Sequence, residues 1–349
     1  MTSRGSFPPV PAHPPRSLHS QPPAAVALEE AEALPSFDWR RNAWLFALTV
    51  LSVFYVGSGW VAYGEAPASA WEALLAGWRF ALPLLAILVA HEFGHYIAAR
   101  LHRVPASLPY FIPLPILNPF GTLGAIILMP KRIRSRRALL DIGAAGPLAG
   151  MAVAIPLMIY GLSLSPVLPV DRSGDVGGIQ EGQSLLYWAL KALVHGTIPA
   201  DHDVMLHPTA LAAWAGFLVT FLNLLPFGQL DGGHVAYAVF GERQNRFARF
   251  MLYVPLLLVV HNFFVHVAPI LQAGFTKGFD ALTLRDWLPA SALFNWIVLF
   301  GLLLVLRRAS GADHPPVDDH TLGTGRKLVG IGTLLLFVLL FMPSPWVPY

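Results

Sequence analysis

The chain has 349 residues, of which 55% are hydrophobic and only 12% charged, roughly half the charge of an ordinary soluble protein. That balance excludes a soluble globular domain, and the formal net charge of +3 gives no basis for nucleic-acid binding. With no cysteine present, disulfides, thiolate metal sites and cysteine nucleophiles are excluded, leaving His, Asp and Glu as the available metal ligands.

Residues 1–36 are rich in Pro, Ala and Ser without apolar periodicity, and read as a disordered tail. No charged start followed by a short apolar core is visible, so no cleaved secretory signal is expected. Apolar runs long enough to span a bilayer follow. The first is Ala43–Tyr63, and the second runs from about Ala73 to Leu101. Pro105–Pro130 is apolar but interrupted by Pro113, Pro115, Pro119, Gly121 and Gly124. Such backbone is tolerated at membrane depth only when buried in protein or lining a water-filled cavity, so a hairpin-like or re-entrant insertion is predicted.

Asp141–Leu164 is the third span, and Gly143, Gly146 and Gly150 in it permit close helix packing. Residues 166–206 form a polar loop with one interfacial helix at Ser184–His195. Further spans are predicted at Pro208–Leu225, Arg249–Leu271, Ala290–Leu306 and Leu328–Phe341. The fold class is therefore all-α and polytopic, with six to seven transmembrane helices and a membrane-embedded domain over 43–345. Most of the 23 Lys and Arg fall on one side of this layout, which places the N-terminus in the cytoplasm. The run Lys131–Arg137 serves that orientation and touches anionic lipid; no nucleic-acid partner is expected.

The second span contains His91-Glu92-Phe93-Gly94-His95. Histidines four apart lie one turn above each other on a helix face, so both imidazoles reach one zinc ion. Glu92 lies about 100° around the helix, where a carboxylate reaches a metal-bound water and takes its proton. Each ionisable side chain near a bilayer centre costs about 2.5–3.5 kcal/mol on insertion scales, which marks this trio as functional. A catalytic zinc also needs a third protein ligand. Asp231, in the segment Asn223 to His234, is topologically able to supply it. An N-cap role for Asp231 is the alternative, and His234 is a rival ligand or supporting partner. His102, His195, His202, His261, His266, His314 and His320 have no spacing partner and read as interfacial or solvated.

His91–His95 within a span, followed by Asn223-x-x-Pro226 and Leu230-Asp231-Gly232, resembles the site-2 protease family of intramembrane zinc metalloproteases. His207-Pro208 through Trp214-Ala215-Gly216, and Phe111-Ile112-Pro113 with Gly121-Thr122-Leu123-Gly124-Ala125, resemble its prokaryotic and plastid branches. The similarity covers about residues 80–240, within a catalytic core over 73–240. It implies His91, His95 and Asp231 as ligands of one zinc per chain and Glu92 as general base. Asn223 would stabilise the oxyanion or hold substrate backbone. Gly121, Thr122, Leu123, Gly124 and Ala125 would form a strand edge that pairs with an unwound substrate. The implied reaction is cleavage of a membrane-anchored protein in or near its transmembrane segment by a zinc-bound water. A zinc-binding transporter and a non-catalytic membrane scaffold are the alternatives. The 166–206 loop is too short for the PDZ domain, and 307–327 for the CBS pair, that many members carry, so substrate selection is unexplained. The substrate's identity and the oligomeric state are likewise open, and the Ala, Arg and Pro bias points to a bacterial plasma membrane.

Overall fold

The computed structural model describes residues 39–348 except 117, 131–132, 170–178, 311–313, 315–316 and 319. The tail predicted over 1–36, and Lys131 and Arg132 of the basic run, lie outside the described residues. Helix α1 (Trp39–Gly57) ends before the predicted Tyr63, because the chain turns at Gly57 against the backbone of Gly77. A Cβ on Gly57 would stand 2.6 Å from the Gly77 carbonyl oxygen.

The second predicted helix is two. Helix α2 (Ala70–Ala76) is capped by Ser69, whose side chain accepts from the Glu72 N–H, and α3 (Trp78–Leu101) follows directly after Gly77. The break sits where Gly77 closes on the Phe54 carbonyl, a contact with no room for a side chain. Helix α4 (Arg136–Ser163) starts earlier than predicted, since the Ser135 hydroxyl accepts from the Ala138 N–H and opens the helix there.

Between α3 and α4, strands β1 (Tyr110–Pro113) and β2 (Thr122–Ile126) form the antiparallel hairpin, with Phe111 opposite Ala125. The register shifts between Phe111 and Pro113, where proline contributes no N–H to the ladder. The hairpin lies along α1. Asn42 donates to the Leu108 and Pro109 carbonyls, Ser52 to Gly121 and the Trp60 indole to Pro119. Side chains of α1 and of the segment beyond it thus satisfy a Pro- and Gly-broken backbone that lipid could not satisfy.

Over 166–206, β3 (Val167–Pro169) pairs with β5 (His202–Val204), and β4 (Ile179–Glu181) pairs with β6 (Trp346–Pro348). Helix α5 (Leu185–His195) lies between, close to the bounds predicted for a helix at Ser184–His195, and is capped by Ser184. Lys191 of α5 is buried with its amine 2.9 Å from Asp203 and 3.5 Å from Glu181, which also accepts from the Tyr187 hydroxyl at 2.8 Å.

Helix α6 (Pro208–Asn223) opens on His207, whose ring accepts from the Thr209 N–H. Ala210 to Phe217 are buried on every side, as expected of a helix apolar all round. It packs against α3 and α4 to form the centre of the molecule. The chain continues through α7 (Asp231–Phe240), α8 (Arg243–Met251), α9 (Val254–Asn262), a π-helical turn at Phe263–Val267 and α10 (Ala268–Lys277). It ends in α11 (Ala292–Ser310) and α12 (Thr324–Leu340) before β6.

Among the described residues, four helical stretches are long and apolar enough to cross a membrane: Ala70–Leu101, Arg136–Ser163, Arg243–Lys277 and Asp286–Val305. Pro208–Asn223 is a shorter apolar helix. Large apolar side chains are exposed along these stretches, such as Leu82, Phe93 and Ile97 on α3 and Phe294, Ile297, Val298 and Leu302 on α11. Patches of that size in water would drive aggregation, and facing acyl chains they are stable.

The buried Lys191–Glu181 contact yields a stability prediction. Lys191→Met strands the Glu181 carboxylate and is expected to lower unfolding stability by about 3–5 kcal/mol. Glu181→Gln added to it should recover part of the loss, as measured by denaturant titration in detergent.

Candidate metal centre

Helix α3 carries His91 and His95 on one buried face, with their Nε2 atoms 3.1 Å apart. The Asp231 carboxylate reaches them from 136 residues further along the chain. Its Oδ2 stands 3.1 Å from His95 Nε2 and 3.3 Å from His91 Nε2. Ligands held at 2.0–2.1 Å around a tetrahedral zinc are separated by about 3.3 Å. Two imidazole nitrogens and one carboxylate oxygen at these spacings therefore fit a single divalent ion. Among the described residues, this is the group of three or more such side chains with metal-binding spacing.

Asp231 is delivered by a tight turn between α6 and α7. A Cβ on Gly232 would stand 1.9 Å from the Leu224 carbonyl oxygen, and one on Gly233 would stand 2.3 Å from that of Gly228. Gly228 itself has a φ of +53°, the left-handed region that favours glycine. Gln244 donates to the Pro226 carbonyl and holds the turn from the other side. Asp231 is the first residue of α7, Leu230 precedes it as the cap, and the carboxylate faces the two histidines. The N-cap alternative does not describe its side chain.

The three glycines of α4 form the floor. A Cβ on Gly146 would fall 2.1 Å from His95 Nε2, one on Gly150 3.2 Å from His91 Cβ, and one on Gly143 3.2 Å from the Asp231 carbonyl oxygen. On the facing helix, a Cβ on Gly94 would fall 2.5 Å from the Ala145 carbonyl oxygen. The sequence signalled close packing at these glycines, but not that the packed objects are the two histidines. The His95 ring is also oriented from α4, with Nδ1 2.7 Å from the Ile142 carbonyl oxygen. A carbonyl accepts only, so Nδ1 carries the proton and Nε2 is the nitrogen turned to the cluster. Sequence reasoning missed this partner, because a backbone carbonyl leaves no residue-type signature.

Glu92 is buried on the same turn as His91. Asn223, the last residue of α6, brings its Nδ2 to 3.2 Å from His91 Nε2. Residues Gly121 to Ala125 fall on β2 and the turn leading into it, near α3. Thr122 is buried and donates to the Ile112 carbonyl, Leu123 is exposed, and β1 occupies one edge of this two-stranded sheet.

His234 does not join the three. Its Nδ1 lies 2.9 Å from His314 Nε2, and the His314 ring stacks on Tyr237 with centroids 4.3 Å apart. The reading of His314 as interfacial or solvated is thus corrected: it is buried, with His234 and Tyr237 as its neighbours. His102 and His202 also have carboxylate partners, in Asp141 and Asp201, both at 2.8 Å. These pairings join residues far apart in sequence or, for Asp201 and His202, neighbours at the start of a strand, where helical spacing carries no information.

Residues 79–261, more than half of the chain, match the model of peptidase family M50. The chain belongs to this family, that of the site-2 proteases. It is 27% identical over 277 residues to a protein of Oryza sativa subsp. indica named "Probable zinc metalloprotease EGY2, chloroplastic", covering 79% of this chain and 44% of the relative. It is 36% identical over 170 residues to "Probable zinc metalloprotease EGY1, chloroplastic" of Arabidopsis thaliana, covering 46% and 30%. The chain spans less than half the length of these curated relatives. No solved structure matches it. The relatives' names give a chloroplast location, so the comparisons lend no support to the bacterial plasma membrane expected from composition.

The glycine floor makes a graded prediction. Gly146→Ala should abolish metal retention, because its methyl group would occupy the position of His95 Nε2. Gly150→Ala, with a 3.2 Å approach, should weaken retention only partly. Metal content of the purified variants checks the order.

Proposed function

We propose that the protein is a zinc-dependent intramembrane endopeptidase that cleaves membrane-anchored proteins within or near their transmembrane segment. The observation that carries this reading is the convergence of His91, His95 and Asp231 at tetrahedral spacing within apolar helices, with Glu92 beside them. Membership of peptidase family M50 supports it, as do the zinc metalloprotease names of the relatives.

In this reading His91, His95 and Asp231 hold one zinc per chain. Zinc supplies Lewis acidity, lowering the pKa of water towards about 7 and polarising a carbonyl. Glu92 accepts the proton of the attacking water and returns it to the leaving amine. Asn223 directs its amide N–H towards the oxyanion or the substrate backbone. A peptide bond inside an intact helix is shielded, so the substrate must unwind. The edge at Gly121, Thr122, Leu123, Gly124 and Ala125 receives it as an added strand. The domain extends over 43–345 with its catalytic core in 73–240, crosses the bilayer six to seven times and has its N-terminus in the cytoplasm.

Glu92→Gln separates this reading from metal transport. It is expected to retain zinc while cleavage of a single-span membrane substrate falls by about 10²–10⁴-fold. His91→Ala or Asp231→Ala should lose the metal as well. Undiminished cleavage by Glu92→Gln, or metal flux in its place, overturns the assignment.

A further inference from the structure

We propose that Asp141 is a positioning residue for the metal centre, held in place by Arg326 of the C-terminal helix. The inference rests on the zinc reading of the site. Asp141 lies in the second turn of α4, immediately before Ile142, whose carbonyl oxygen receives His95 Nδ1. Its carboxylate accepts from two helices at once. His102, the residue that ends α3, places Nε2 2.8 Å from Oδ2. Arg326, in the first turn of α12, places Nε 3.0 Å from Oδ1 and Nη2 2.8 Å from Oδ2.

The consequence is mechanical. Helices α3 and α4 are pinned at two levels, by the His102–Asp141 contact and by the glycine approach of Gly94 and Gly146. The Ile142 carbonyl lies between these pins, so sliding or rotating α4 would carry it off the His95 ring. Helix α12 braces the third ligand from the same side. A Cβ on its Gly330 would stand 2.9 Å from Leu140 of α4 and 3.8 Å from Val235 of α7, the helix that Asp231 begins. Arg326 and Gly330 lie beyond the 79–261 match, so the α12 side of this latch comes from outside the matched segment, while Asp141 and His102 lie within it.

The Asp141–Arg326 pair is partly exposed, with side chains 26% and 41% accessible, and such a pair adds little to global stability by itself. Its bidentate fork fixes direction, which a lysine does not reproduce. Stability and metal affinity should therefore separate in variants.

The test uses the full chain in lipid nanodiscs, with zinc affinity measured by chelator competition and unfolding of the metal-free protein measured alongside. Asp141→Asn and Arg326→Ala are expected to weaken zinc binding on the order of tenfold or more, with the metal-free unfolding temperature unchanged and Arg326→Lys intermediate. Affinities within twofold of wild type overturn the inference. So does a loss of affinity matched by a lower metal-free unfolding temperature, which marks a merely structural role. Should Arg326→Ala not fold, Arg326→Lys decides, and undiminished affinity in it overturns the proposal. Wild-type protein that binds no zinc defeats the reading of the site itself; wild type that binds, with variants that bind equally, defeats this inference alone.

Discussion

The structure depends on how closely α3 and α4 approach one another. Gly94 meets the backbone at Ala145, and His95 lies where a side chain on Gly146 would be. Two helices in lipid gain nothing from excluding water, so small residues and shape supply the association. Here that association also builds the site. The groove left by Gly146 and Gly150 receives the two imidazoles, and Gly143 gives the start of α7 its place against α4. Any side chain larger than hydrogen at Gly146 would collide with the His95 ring and disturb both the packing and the spacing of His91, His95 and Asp231.

A second constraint is that polar groups inside an apolar molecule need partners, because an unpaired one costs free energy that burial cannot return. The β1–β2 hairpin meets it by lying along α1, with Asn42 and Ser52 accepting the role that water plays elsewhere. The 166–206 segment meets it with the Lys191, Glu181, Tyr187 and Asp203 cluster. Strand β6 ties the C-terminal end of the chain to β4. There Asn262 and Trp296 both donate to the Pro343 carbonyl, and the Gly182 N–H donates to Pro345. These links hold elements distant in sequence as one body around the central helix α6.

The same elements set the chemistry in order. A donor set of two nitrogens and one carboxylate oxygen leaves a tetrahedral ion one open position. The backbone carbonyl of Ile142 selects which nitrogen of His95 turns inward, and the turn at Gly228 to Gly233 selects where Asp231 stands. Glu92 and Asn223 then border the cluster from α3 and α6. Preorganisation of this kind comes from rigid helices and one locked turn.

What the sequence determined was local or periodic. The apolar runs marked the helices, Pro and Gly marked the hairpin, and His-Glu-x-x-His placed two imidazoles on one face, because helix geometry is a property of neighbouring residues. Asp231 was legible through the chemistry of an unfilled ligand set and through the resemblance carried by Leu230-Asp231-Gly232. The tertiary structure decided the break at Gly77, the pairing of His234 with His314, the burial of Lys191 and the carbonyl that orients His95. Each depends on which backbone or side chain arrives from a distant element. No spacing rule encodes that arrival, since it follows from the packing of whole helices.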